Sequence, residues 1–375
     1  MPLLQLRTIV LAGTPAQMGR AHGEALGEDI RAFADQRLRA AKVYLRERGI
    51  RDEAAFGDLG RRCLEQLKLW DRDGWDEHHA VAAGAGIAAD LLYTACNLTD
   101  LRDVITLPDD RQSVVGHGRK PHAPRHAPPA EAEGCSAMLV TGAASASGEV
   151  IAGQTWDLNP PDLDFVVAFD RQPAAGPRAF TVTCAGCPSL IGLNEHGVAL
   201  GTTNIKVRGA RVGIPYLSLL HRALRARTRE EAAAVISGAD RAAAHTYWIA
   251  DAAGALDLEC TADRSVRRDA DGALFRTNHC LVGDHQRLEG EPPSASSLAR
   301  LARVDGALNA QPHSVETIKR LMADRSDGVD SVNRFAEDNQ GTSTNACVIA
   351  VPARRELHAC RGSADRGEWI RLTFA

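Results

Sequence analysis

The sequence predicts an α+β protein: a layered body of antiparallel sheets and covering helices, preceded by a helical N-terminal section. Three observations carry this. Residues 29–92 place apolar side chains at helical spacing among Arg, Lys and Glu. From Cys135 onward, short apolar runs are separated by turn residues. Strands come first, then helices, then strands again, which suits packed layers better than alternating parallel units.

In chain order, Gly13-Thr-Pro-Ala-Gln-Met-Gly-Arg-Ala-His-Gly23 reads as a helix start. Thr14 can cap, Pro15 suits the first helical position and Gln17 stands three residues after the cap. Gly19 and Gly23 share one helix face and allow close approach of another element. Phe33, Leu38, Ala41, Val43 and Leu45, then Leu64, Leu67 and Leu69, continue an all-α section of about four helices, with Gly49, Gly57 and Gly74 as interruptions. Residues 107–134 form a Pro- and His-rich loop containing His117, His122 and His126, a composition typical of a solvated loop rather than a metal site. Strands are then expected at Ser136–Thr141, Glu149–Thr155, Asp164–Asp170, Ala179–Cys184, Leu190–Asn194 and Gly197–Asn204. Helices follow at Tyr216–Arg225 and at Arg229–Ser237, the latter capped by Thr228. Strands His245–Asp251 and Ala255–Cys260, helices Ser294–Ala307 and Ser314–Ala323, and strands Thr344–Val351, Glu356–Cys360 and Trp369–Phe374 complete the chain. The expected divisions are a helical section 1–106, the loop 107–134 and a body 135–375.

The 375 residues suffice for a large core. A formal net charge of -4 and the lack of a basic tract give no reason to expect a nucleic-acid partner. No signal peptide and no membrane span is read from the apolar patterning. Nine cysteines without regular spacing fit a reducing cytoplasm better than a disulfide framework. Cys184-Ala-Gly-Cys187 is a lone CxxC; structural zinc would want a second pair, so buried thiols are the plainer reading, with zinc or redox use a distant one.

The chemistry concentrates at Glu131-Ala-Glu-Gly134-Cys135-Ser136, where a polar loop meets a core strand. If the Gly134–Cys135 bond breaks, Cys135 gains an α-amine beside its thiol. Such an amine titrates near pH 7.7–8.0 and can act as general base, so one residue supplies both nucleophile and base. Glycine on the acyl side leaves the scissile carbonyl unshielded.

Gly134-Cys135, Gly153-Gln-Thr-Trp-Asp157, Gly192-Leu-Asn-Glu-His-Gly197 with Thr203-Asn204, Thr277-Asn278-His279 and Ser297-Leu-Ala-Arg300 come in the order seen in the C45 family of N-terminal-nucleophile hydrolases. The chain resembles that family, the group of isopenicillin-N acyltransferase, over nearly its whole length except the Pro/His loop. The resemblance implies a four-layer αββα sandwich with a helical N-terminal section. It implies catalytic roles for five residues: Cys135 as nucleophile and base, Asp157 holding the thiol or amine of Cys135, Asn204 and Asn278 as oxyanion donors, and Arg300 beside the nucleophile. Arg303, one turn on, is the rival to Arg300. The sequence departs from the family pattern at Leu158, where an aromatic is usual, and at Ser296, where an acid often stands.

The function expected is self-cleavage of one precursor into two chains, followed by hydrolysis of a linear amide through a Cys135 thioester. The substrate is a small N-acyl amide or acyl donor, and no cofactor or metal is called for. Two alternatives stand beside it: transfer of the acyl group to an amine, and a catalytically silent binding protein on the same fold.

Overall fold

The computed structural model describes residues 2–50, 54–109 and 134–374. The His117, His122 and His126 loop therefore lies outside the described residues. Fourteen strands are described: β1 (Thr8–Gly13), β2 (Ser136–Val140), β3 (Ile151–Leu158), β4 (Val166–Pro173), β5 (Ala179–Cys184), β6 (Ile191–Asn194), β7 (Ala199–Asn204), β8 (His245–Asp251), β9 (Gly254–Cys260), β10 (Ser265–Asp269), β11 (Ala273–Arg276), β12 (Ser343–Val351), β13 (Glu356–Arg361) and β14 (Ile370–Thr373). They form two sheets, in the orders β1-β4-β5-β6-β7-β8-β9-β10 and β11-β2-β3-β12-β13-β14.

One face of each sheet meets the other in a common core. Ala137, Leu139, Ala152 and Trp156 of the six-stranded sheet join the cluster that holds Leu200, Trp248 and Ile249 of the eight-stranded sheet. Alternation along the strands sends Met138, Val140 and Ile151 to the opposite face, where they pack on Val304, Leu308, Ile318 and Met322 of helices Ala295–Leu308 and Val315–Met322. The outer face of the eight-stranded sheet is covered by helices Tyr216–Ala223 and Arg229–Ser237 and by the N-terminal helices. The architecture is the four-layer αββα sandwich, with the helical section packed beside it.

The Gly-Gln-Thr-Trp-Asp motif explains how the sheets lock. Gln154 reaches across from β3: its Nε2 donates to the Thr202 carbonyl at 2.6 Å, and its Oε1 accepts from Thr202 N at 3.0 Å and Trp248 Nε1 at 2.6 Å. Gly201 leaves room for this crossing, since a Cβ there would stand 2.5 Å from Gln154 Oε1.

The helix start at Thr14 is as expected, a capping box with Gln17. Gly19 and Gly23 do allow a close approach: Cβ atoms there would lie 2.3 Å from the carbonyls of Glu77 and Val81 in helix Arg72–Ala85. Four expectations are corrected. The N-terminal section is not all-α, because β1 pairs in parallel with β4 as an edge strand of the larger sheet. With only Leu11 fully buried in it, β1 carries a weak apolar pattern. The section also holds six helices before Leu107 among the described residues, not about four. Gly57 and Gly74 lie inside helices; Gly74 is needed because a Cβ there would meet Asp71 Oδ2 at 2.6 Å. Finally, β10 and β11 have no counterpart among the expected strands: β10 is an exposed edge rich in charge, and β11 crosses to pair with β2.

Buried polar contacts tie the N-terminal section to the body: Arg37 pairs with Asp162 at 2.9 Å, Arg171 pairs with Glu77 at 2.7 Å, and His245 Nε2 shares a hydrogen bond with Asp100 Oδ1 at 2.7 Å.

Candidate active site

Cys135 stands at the threshold of β2, buried in the core between the sheets. It stands one residue before Ser136, whose pairing with Thr155 ends the β2–β3 ladder. Its thiol donates to the backbone carbonyl of Asp157 at 3.8 Å. Trp156 faces the inter-sheet core, so alternation turns the Asp157 side chain to the other face.

There the Asp157 carboxylate packs against Gly134. A Cβ on Gly134 would come within 2.8 Å of Asp157 Oδ2 and 3.0 Å of Arg334 Cδ. Asp157 is completely buried, and neither carboxylate oxygen has a donor in hydrogen-bond geometry among the described residues. Burial pushes its carboxyl up to about 6, against the pull of Arg334 and Arg300 and of the nearby Thr344 and Thr155 hydroxyls, which favour the anion.

Arg300 is the hub. From helix Ala295–Leu308 its Nη1 donates to the Cys135 carbonyl at 2.6 Å and Ser136 Oγ at 2.8 Å, and its Nη2 donates to Asn278 Oδ1 at 3.0 Å. Burial lowers its pKa to about 10, with Arg334 acting in the same sense and Asp157 and Cys135 opposing, so it stays charged at neutral pH. Arg303 does not compete: it is on the exposed side, bound to Asp324 at 2.5 Å and Ser326 at 2.6 Å.

Asn278 is held by both ends of the cluster. Its backbone N–H donates to Ser297 Oγ at 2.9 Å, and its Nδ2 donates to the Asn204 carbonyl at 3.1 Å. Asn204, the last residue of β7, is buried and meets Asn278 through its main chain. The structure thus gathers Cys135, Asp157, Asn204, Asn278 and Arg300 around one junction.

Two members of the cluster are not among the site residues expected from sequence. Arg334 is buried, donates to Ser296 Oγ at 3.0 Å through Nη1, and exchanges hydrogen bonds with Thr344. Ser296 Oγ also accepts from Arg300 Nε at 3.3 Å. The only sequence signal is Ser296 itself, standing where the family often has an acid. Among the described residues, no group of three or more His, Cys, Asp or Glu is placed to hold a metal ion. None of the nine cysteines, all among the described residues, is in a disulfide.

A two-sheet sandwich with a thiol at the start of an inner strand, a buried carboxylate and an Asn–Arg cluster defines the class: an N-terminal-nucleophile fold enzyme, an acyltransferase or hydrolase acting on amides. Residues 145–366 match the family described as acyl-coenzyme A:6-aminopenicillanic acid acyl-transferase, and the chain belongs to that family. The matched span includes Asp157, Asn204, Asn278 and Arg300 and begins beyond Cys135. The chain is 22% identical over 321 residues to the 40 kDa form of acyl-coenzyme A:6-aminopenicillanic-acid-acyltransferase from Emericella nidulans, covering 84% of this chain and 81% of that one. Among solved structures it is similar to a Caenorhabditis elegans N-acylethanolamine-hydrolyzing acid amidase ortholog (12% identity, TM-score 0.45, 64% of this chain and 100% of that one). It is also similar to penicillin V acylase from Agrobacterium tumefaciens (14% identity, TM-score 0.43, 64% and 86%).

Proposed function

We propose that the chain is a precursor that cuts itself between Gly134 and Cys135, giving an α chain that contains 1–106 and a β chain 135–375, and that the released Cys135 hydrolyses a linear amide of a small N-acyl compound. The observation that carries this is the fully buried Asp157 carboxylate, pressed against Gly134 with neither Arg300 nor Arg334 in hydrogen-bond geometry to it. A buried carboxylate without a directly paired cation is costly, and a new ammonium at Cys135 would supply one.

In processing, the Cys135 thiol loses its proton, Sγ attacks the Gly134 carbonyl carbon, and the C–N bond breaks as the amine leaves protonated. Water then hydrolyses the thioester, leaving the Gly134 carboxylate and Cys135 with free thiol and amine. In turnover, the Cys135 amine takes the thiol proton and Sγ attacks the substrate amide. Asn278 Nδ2 is the donor for the tetrahedral oxyanion, with the Asn204 side chain as the second donor. The amine product leaves with the proton, and water frees the acyl group from sulfur. Arg300 fixes the Cys135 carbonyl and the Asn278 amide, so that nucleophile and oxyanion donor share one anchor.

The relative in Emericella nidulans is named as an acyltransferase, which favours a second reading. In it the same thioester is intercepted by an amine instead of water. Both readings require an acyl group on Cys135. Rapid quenching with a slow N-acyl substrate and peptide mass analysis should find the acyl mass on the Cys135 peptide. Turnover without any acyl adduct at Cys135 would sink both.

A further inference from the structure

We propose that Glu259 is a positioning residue for the reaction: one buried carboxylate of the larger sheet grips the chain on both sides of Asn278 and thereby sets where the Asn278 side-chain amide points. The inference rests on the Proposed function for the role of Asn278 and adds the residue that aims it. Asp257 and Glu259 stand two apart on β9, so they share one face of the sheet, and both are completely buried. Arg276, the last residue of β11 in the smaller sheet and itself buried, reaches both. Its Nη2 lies 2.6 Å from Glu259 Oε2 and 2.8 Å from Asp257 Oδ2, and its Nε donates to Asp257 Oδ2 at 2.8 Å. Asn278 follows two residues later. Past Asn278, Leu281 N donates to Glu259 Oε2 at 2.8 Å and Val282 N donates to Glu259 Oε1 at 3.2 Å. His285 Nδ1 then donates to Oε1 at 2.9 Å. The same carboxylate thus holds the chain before Asn278 and after it.

The segment between the two grips, residues 277–281, has no helix or strand of its own. Such a segment takes its shape from what its backbone groups bind. Thr277 Oγ1 donates to the Ser297 carbonyl at 3.0 Å, and the Asn278 N–H donates to Ser297 Oγ, so helix Ala295–Leu308 holds its first half. Past Asn278 the half-buried Glu289 accepts one bond, from Cys280 N at 2.7 Å, and Glu259 takes the rest. Burial opposes the charge on Glu259, but the His285 hydrogen bond, Arg276 and the Leu281 N–H hold its carboxyl down at about 2. It is an anion at neutral pH, and hydrogen bonds to an ion are roughly twice as strong as neutral ones. A catalytic group displaced by about 1 Å loses on the order of 10²-fold in rate. Loosening the Glu259 end of the segment would move Asn278 Nδ2 off the oxyanion. Arg276 keeps Asp257 when Glu259 is made neutral, so the buried guanidinium is not left bare.

The test is a double-mutant cycle on Glu259→Gln and Asn278→Ala, read as acylation of the self-cut protein by p-nitrophenyl acetate. The burst of p-nitrophenolate gives the rate and the saturation constant, and peptide mass locates the acetyl adduct on Cys135. Glu259→Gln keeps the size and removes the charge. It should slow acylation by about ten- to a hundredfold with the saturation constant little changed. Asn278→Ala should slow it by about 10²–10³-fold. The double variant should be about as slow as Asn278→Ala alone, because Glu259 acts through Asn278. A residue that only supports the fold would lower the melting temperature, and its effect on the rate would multiply with that of Asn278→Ala. Losses that multiply, or a Glu259→Gln protein that acylates at the wild-type rate, would overturn the positioning role and leave the nucleophile standing. Should Glu259→Gln give no self-cut protein, His285→Ala takes its place in the cycle. It removes one donor and leaves the carboxylate, with an expected loss of about three- to tenfold and the same lack of multiplication. Wild type without an adduct on Cys135, or Asn278→Ala at the wild-type rate, would overturn the reading beneath, and the role of Glu259 with it.

Discussion

The Asp157 carboxylate and the α-carbon of Gly134 are in direct contact, so close that a methyl group on Gly134 would lie 2.8 Å from Asp157 Oδ2. The acyl side of the proposed scissile bond is therefore packed on the buried carboxylate of the junction. Glycine is demanded there by space, which is a stronger reason than backbone freedom.

Gly134→Ala should slow self-cleavage by about tenfold or more while leaving the fold intact. The added methyl must displace Asp157 or Arg334, an overpacking cost of about 1–3 kcal/mol in a well-packed region. A time course of intact mass after purification measures it; cleavage at the wild-type rate would show that this contact is not part of the reaction.

Asp157 sets a pH dependence on the uncut chain. Its carboxyl is raised to about 6 by burial, from 3.8 in an ordinary setting, so between about pH 4 and 6 the folded chain binds more protons than the unfolded one. Stability therefore falls as pH rises through that window, and above it the buried charge costs about 3 kcal/mol. In a Cys135→Ala background, which cannot cut, Asp157→Asn should stabilise the protein at pH 8 and lose that advantage near pH 4. Urea denaturation at the two pH values gives the comparison, and an equal effect at both would contradict the assignment.

Asn278→Ala should lower kcat by about 10²–10³ with little change in KM, because the lost donor acts on the transition state. A KM effect alone, with kcat unchanged, would reassign Asn278 to ground-state binding.

Much of this site is legible in the sequence alone. Cys135, Asp157, Asn278 and Arg300 lie in short motifs in a fixed order, and the fold brings them together. Spacing does not tell Arg300 from Arg303, since residues three apart share a helix side. Burial separates them: Arg300 turns into the Cys135 junction and Arg303 to Asp324. Arg334 is invisible in the sequence because it comes from the segment before β12, with no periodicity or motif around it. It joins the cluster only by approaching Ser296 over 38 positions of sequence. The edge strand β1 escapes a sequence reading for a related reason, since its partner β4 lies far along the chain and its own pattern is mostly exposed.

Asp162→Ala should destabilise the uncut Cys135→Ala protein by about 3–5 kcal/mol, since it leaves the buried Arg37 guanidinium without its counter-charge. Chemical denaturation reads this directly. A loss below about 1 kcal/mol, the range of exposed pairs, would mean that Arg37 reaches solvent or another acceptor.

The most direct test of the central claim is the intact mass, under denaturing conditions, of purified wild type and of Cys135→Ala. The account predicts two fragments in wild type, divided between Gly134 and Cys135, and one full-length chain in the variant. A wild-type chain that stays whole after long incubation at neutral pH, or a Cys135→Ala chain that is cut at the same bond, would contradict it.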